Sequence, residues 1–144
     1  MNKSNDVLFS QEYTIIGGDF SKAGGVSTQI KAILKQIGFD PATIRRVAIS
    51  TYEAEMNVVM YANRAILKFT ATPQQITVEV EDKGQGIEDI ELAMQEGYST
   101  ATPEMREMGF GAGMGLPNIK KNSDVLEISS VVGEGTKVAI TIFV

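Results

Sequence analysis

The chain has 144 residues, enough for one domain with its own core. Its 43% hydrophobic and 22% charged residues suit a globular protein, and a net charge of −5 without a basic run argues against nucleic acid as a partner. It has neither cysteine nor histidine, which excludes disulfides, thiolate-held metals, Ser-His-Asp triads and a phosphohistidine relay on this chain. Any general base must therefore be a carboxylate, and any divalent metal a hard ion with oxygen ligands such as Mg²⁺. No run approaches the ~18 apolar residues of a membrane span, and the first residues lack a signal-peptide core, so no membrane contact and a cytoplasmic location are expected.

Residues 12–16 read as a strand ended by Gly17 and Gly18. Val26, Ile30, Ile33, Leu34 and Ile37 recur at helical spacing, with Gly38 as a stop. Asp40-Pro41 restarts a helix running to about Ala62, with a core stripe of Ile44, Val47, Ala48, Ala54, Val58 and Ala62. Two β-rich runs, 65–71 and 76–82, flank Thr72-Pro73-Gln74-Gln75 as a hairpin; Ile76, Val78 and Val80 are expected inward and Thr77, Glu79 and Glu81 outward. A short helix over 88–96, a mobile loop over 97–114, a helix from Leu116 to about Asn122 and a closing hairpin from 125 to 144 complete the pattern. The spacing predicts one α+β domain over 1–144: a two-layer α/β sandwich, helices on one face of a mixed, mostly antiparallel sheet.

Two glycine clusters stand out. Asp82-Lys-Gly84-Gln-Gly86-Ile87 places a carboxylate at a strand end, where it can accept from an exocyclic amine while glycines admit a planar base. An ordinary strand-ending turn would use the same residues. Gly109, Gly111, Gly113 and Gly115 alternate immediately before a helix, where loop N–H groups and the helix start offer a site for phosphates. No Gly-x-x-x-x-Gly-Lys-Ser/Thr run exists, so Walker A chemistry is excluded. Glu53 and Asn57, four residues apart, project from one helix face. They read either as a solvated polar pair or as a base beside a Mg²⁺ ligand.

The order Glu53-Ala-Glu-Met-Asn57, Asp82-x-Gly84-x-Gly86-Ile87, Gly111-Ala-Gly113-Met-Gly115-Leu116 and Gly135-Thr136 resembles the GHKL (Bergerat-fold) ATPase and kinase superfamily over about residues 10–144. Within it, the short chain is similar to the stand-alone partner-switching serine/threonine kinases of the RsbW, SpoIIAB and RsbT type, nearest to RsbT. That resemblance implies an ATP- and Mg²⁺-dependent protein kinase acting on a small STAS-domain antagonist; the alternative is a nucleotide-gated anti-sigma factor or regulator-sequestering module. It also admits a sigma factor or other downstream regulator and a second copy of the chain as partners. Carried residue by residue, it makes Glu53 the base and Asn57 the Mg²⁺ ligand. Asp82 binds the adenine amine, with Gly84, Gly86 and Ile87 flanking the base. Gly109, Gly111, Gly113, Gly115 and Leu116 wrap the phosphates under a lid, and Thr136 backs the adenine. Many family members have a histidine soon after the Asn; this chain has Tyr61 nearby and none. No role is implied for the second acid, Glu55.

Overall fold

Every second residue of the central strands is apolar, and that alternation selects which face of the sheet meets the helices. The computed structural model describes residues 6–95 and 115–144. Strands β1 (Phe9–Ile16), β2 (Ala62–Ala71), β3 (Gln75–Gly84), β4 (Val125–Val131) and β5 (Gly135–Phe143) form a five-stranded sheet in the order β1-β2-β3-β5-β4. All four pairings are antiparallel, so no parallel pair is present among the described strands. Ile76, Val78 and Val80 are buried as the pattern requires, opposite Ile142, Ile140 and Val138 on β5. The other face carries Thr77, Glu79 and Glu81.

Helices α1 (Gly25–Ile37), α2 (Pro41–Tyr61), α3 (Ile90–Ala93) and α4 (Gly115–Asn122) follow in chain order. Three of them cover the apolar face, and Ile30, Leu34, Val47, Leu67, Phe69 and Ile119 are fully enclosed between the layers. α2 is central: it packs on α1, on α4 and on strands β1, β2, β3 and β5. With neighbours on so many sides, its second half buries Ser50, Thr51, Ala54, Glu55, Met56, Val58 and Val59 rather than one narrow stripe. Ala48 and Ala62, expected in that stripe, are only half-buried.

The element limits differ from the sequence pattern in three places, one being that β2 begins at Ala62 rather than at 65, so α2 stops at Tyr61. β1 begins at Phe9 rather than at 12, because β2 offers a paired edge as far as Ala71 and the Phe9 and Phe69 rings meet at 5.8 Å. The helix expected over 88–96 shrinks to Ile90–Ala93, with the Asp89 carboxylate accepting from the Leu92 N–H at 3.0 Å. A short segment with no fully buried side chain has little tertiary packing to extend it. The expected mobile loop and lid over 97–114 lies outside the described residues. No helix among the described residues is long and apolar enough to cross a membrane.

Glu55 explains the join between α1 and α2. α1 starts after Gly24, which has no side chain to cap it and sits at φ +89°. The Glu55 carboxylate supplies the cap from the neighbouring helix: Oε2 accepts from Gly24 N–H at 3.1 Å and Val26 N–H at 3.2 Å, and Oε1 from Ser27 N–H at 3.1 Å. A negative group facing a helix start is doubly favoured, by the free N–H groups and by the helix dipole. Glu55 is 2% exposed, so its loss leaves three buried or half-buried donors without partners. We expect Glu55→Ala to lower the unfolding free energy by about 3 kcal/mol or more, the scale of removing a buried hydrogen-bonded charge. Urea denaturation checks this, and an unchanged midpoint would remove Glu55 from the stabilising framework.

Candidate functional site

Two groups of polar side chains interrupt the apolar contact between α2, α4 and the sheet. The first lies where the middle of α2 meets the start of α4. Glu53 and Asn57, one turn apart, are both half-buried and face Gly115. A Cβ at Gly115 would stand 3.0 Å from Asn57 Oδ1, 3.5 Å from Asn57 Nδ2 and 3.5 Å from Glu53 Oε2, so glycine is what lets α4 begin this close. Leu116, expected among the phosphate-wrapping residues, is buried in the core at 8% exposure. What it contributes is an anchor that holds Gly115 in place. The other oxygen of the base candidate is engaged as well: Asn118 Nδ2 donates to Glu53 Oε1 at 3.4 Å.

The second group lies at the end of β3. Asp82 continues the inward series Ile76, Val78, Val80 and pairs across from the buried Ala65, so its carboxylate points to the helix side of the sheet. Asp82 Oδ1 accepts from the Thr136 N–H at 3.0 Å, which leaves Oδ2 to accept from a ligand. Gly135 has φ +146°, and a Cβ there would collide with the Asp82 carbonyl oxygen. The turn after β3 is tied to the β4–β5 hairpin. Ile87 N–H donates to Ser130 Oγ at 2.7 Å, Ser130 Oγ donates to the Gly135 carbonyl at 3.0 Å, and it lies 2.9 Å from Thr136 Oγ1. Gly86, at φ +76°, has room for a Cβ only 2.6 Å from the Val131 carbonyl oxygen.

α2 joins the two groups. Gly84 packs on its last turn, where a Cβ would lie 3.0 Å from the Tyr61 carbonyl oxygen and 2.9 Å from the Ala62 Cβ. Tyr61 is four residues after Asn57, a helical rise of about 6 Å. The sequence-predicted Glu53, Asn57 and Gly115 are thus brought together, and so are Asp82, Gly84, Gly86, Ile87 and Thr136. Gly109, Gly111 and Gly113 lie outside the described residues. Asn118 and Ser130 were not anticipated: an Asn inside a helix and a Ser inside a strand carry no spacing signal. Among the described residues a groove of about 470 Å³ opens between α1, α2 and α4, lined by Thr28, Lys31, Tyr52, Asn122 and, at the site, Glu53 and Asn118.

Burial raises the carboxyls of Glu53 and Asp82 above their ordinary values. For Glu53 the Asn118 bond opposes that rise in part, and for Asp82 the Thr136 N–H does so. A carboxylate held back from water, with one oxygen engaged and one free, is a stronger proton and hydrogen-bond acceptor than a solvated one. Among the described residues no three acidic side chains cluster, so a hard cation here would be met by the Asn57 oxygen together with phosphate oxygens rather than by a protein cage. Backbone crowding at Gly115, an oxygen donor at Asn57 and an acceptor at Asp82 fit a nucleotide with Mg²⁺.

Comparison with known proteins gives the family. Residues 21–142 match the family described as the histidine kinase-like ATPase domain. The serine/threonine-protein kinase RsbT of Bacillus subtilis (strain 168) is 29% identical over 110 residues, covering 74% of this chain and 77% of RsbT. An anti-sigma F factor of Thermoanaerobacter sp. (strain X514) is 34% identical over 122 residues, 81% of this chain and 82% of that protein. Among solved structures, the RsbU and RsbW domains of Rv1364c from Mycobacterium tuberculosis align with 92% of this chain and 32% of that longer one. Their TM-score is 0.60 at 15% identity, a likeness of fold. With a family match across 21–142, the chain belongs to the histidine kinase-like ATPase family.

Proposed function

We propose that the chain is a protein serine/threonine kinase of a bacterial partner-switching system, working in the cytoplasm with ATP and Mg²⁺ on a small STAS-domain protein. The observation that carries this reading is that Glu53 Oε2 and Asn57 Oδ1 both face Gly115, 3.5 and 3.0 Å from where a Cβ there would stand. An ATP-binding module alone would not need a half-buried carboxylate next to the phosphate end of the site. RsbT, a named kinase, is among the relatives, and so are anti-sigma F factors.

In this reading Asp82 Oδ2 accepts from the adenine amine, and the N–H groups before α4 meet the phosphates. Asn57 contributes one oxygen to Mg²⁺, which when bound neutralises charge on the phosphate oxygens. Glu53 orients the acceptor serine and takes its proton as the serine oxygen bonds to the γ-phosphorus. The bond from that phosphorus to the bridging oxygen breaks, and ADP leaves with the electron pair. The groove beside Glu53, open between α1, α2 and α4, gives the acceptor segment its approach. Phosphoryl transfer asks mainly for positioning and charge neutralisation, which this set of groups supplies.

The test is transfer from labelled ATP with Mg²⁺ to a purified STAS-domain protein. Phosphoserine is expected on that protein, with a loss of about 10²-fold or more in Glu53→Ala, the range of a lost general base. No transfer, or transfer indifferent to Glu53→Ala, would exclude the kinase reading; co-purification with a sigma factor would then favour sequestration.

Asp82→Asn keeps the acceptor oxygen for Thr136 but removes the second carboxylate oxygen. It is expected to weaken ATP binding by about 1–3 kcal/mol in calorimetry, while Lys83→Ala changes little. Equal, negligible losses would take Asp82 out of the base site.

The raised carboxyls also predict a pH dependence. A group whose folded-state pKa lies above its unfolded value favours folding when protonated, and that contribution is lost as pH rises through the folded value. At pH 7 both Glu53 and Asp82 are therefore held ionised at a cost to stability. Glu53→Gln should raise the melting temperature at pH 7 by about 2–4 °C, and the gain should vanish as pH falls into the carboxylate range. A gain independent of pH would contradict this account.

A further inference from the structure

Glu53 has two oxygens, and the structure puts them to different uses. Oε2 lies beside Asn57 and Gly115, where the phosphate end of the site begins. Oε1 accepts from Asn118 Nδ2 at 3.4 Å. An ionised carboxylate only accepts, so the amide must present its NH₂ to it.

Asn118 is itself held in place. Its backbone carbonyl accepts from Asn122 Nδ2 at 2.9 Å, the Asn122 carbonyl accepts from Arg46 Nε at 3.2 Å, and Arg46 pairs with Asp124 at 3.0 Å. Arg46 belongs to α2, the same helix as Glu53, so α4 is fastened to α2 near both its ends. Leu116 and Ile119, both buried, fix the face of α4 from which Asn118 reaches out. The donor is therefore built into the framework rather than borrowed from a free surface chain.

We propose that Asn118 is a positioning residue for phosphoryl transfer: by holding Oε1 it turns Oε2 of Glu53 toward the acceptor hydroxyl and steadies the charged carboxylate. The proposal rests on the kinase reading above. Because Asn118 stands one turn after Gly115, it also couples the base to the helix whose start meets the phosphates, so a shift of α4 moves base and phosphate site together. From α1, Lys31 is the charged side chain sharing the groove with Glu53, and from α4 the groove is faced by the neutral amides of Asn118 and Asn122.

Three substitutions separate this role from mere packing. Asn118→Leu keeps the branched shape and removes the donor, Asn118→Asp adds a like charge, and Asn118→Gln keeps the donor. The Glu53 carboxyl is followed by ¹³C NMR in the nucleotide-free protein, and transfer to the STAS-domain acceptor by single-turnover and steady-state kinetics. In Asn118→Leu the Glu53 titration should move to higher pH and kcat should fall by roughly ten- to a hundredfold, the scale of losing an outer hydrogen bond to a working ligand. The KM for ATP should stay within about twofold, since the base is not part of ground-state nucleotide binding. Asn118→Asp should move the titration further, and Asn118→Gln should recover most of kcat. A titration unmoved in both Asn118→Leu and Asn118→Asp, with an active wild-type protein, overturns the role of Asn118 alone. So does a KM for ATP that rises in step with the fall in kcat. A wild-type protein that transfers no phosphoryl group overturns the kinase reading itself and the catalytic use of Oε2 with it, whatever the titration shows.

Discussion

The burial of α2 against two helices and four strands is the constraint from which the rest follows. A helix enclosed so widely has few directions left for polar side chains. Among the described residues the Glu55 carboxylate is fully bonded there, whereas the buried Ser50 Oγ and Thr51 Oγ1 make no hydrogen bond. Glu53 and Glu55 lie two residues apart, about 200° around the helix axis, so they look toward different neighbours. Glu55 looks to the start of α1 and accepts three backbone N–H groups. Glu53 looks to the start of α4 and receives one long bond from a side-chain amide. The same residue type is thus fully bonded in one position and half free in the other, and the difference is the number of donors that meet it.

The sheet end follows the same logic. Along β3 the inward positions carry Ile76, Val78 and Val80, and the next inward position carries Asp82. A carboxylate in a core register is unfavourable unless it is bonded, and here the Thr136 N–H satisfies one oxygen. The hairpin of β4 and β5 holds that N–H in line through Ser130, which connects the Asp82 turn to the opposite strand. Burial raises the carboxyls of Glu53 and Asp82 alike, one on α2 and the other at the strand end beside its last turn. The glycines at 84, 86 and 135 mark where neighbouring atoms come too close for a Cβ, and at Gly115 a Cβ would crowd the Asn57 side chain.

Much of this was legible in the sequence. Period-two alternation in β3, the Asp40-Pro41 start and the Gly38 stop fixed strand faces and helix limits, because they rest on local backbone geometry. Glu53, Asn57, Asp82 and the glycine clusters were recognisable through their order along the chain. Less local features were not. The length of β1 depends on the partner strand beside it, and the brevity of α3 on how little core it can reach. Asn118 gave no signal, since its partner is 65 positions away in the chain.

The sequence by itself determined the periodicities, the residue types available for chemistry and the absence of histidine and cysteine, because these are properties of neighbours along the chain. Only the tertiary structure decided which of two nearby glutamates is a cap and which faces the site. It alone placed Leu116 in the core and brought Asn118 to Glu53 and Ser130 to the turn after Asp82. Such decisions depend on the rotation of α2 between its neighbours, which is set by packing and by the three N–H groups on Glu55, not by any spacing the chain displays.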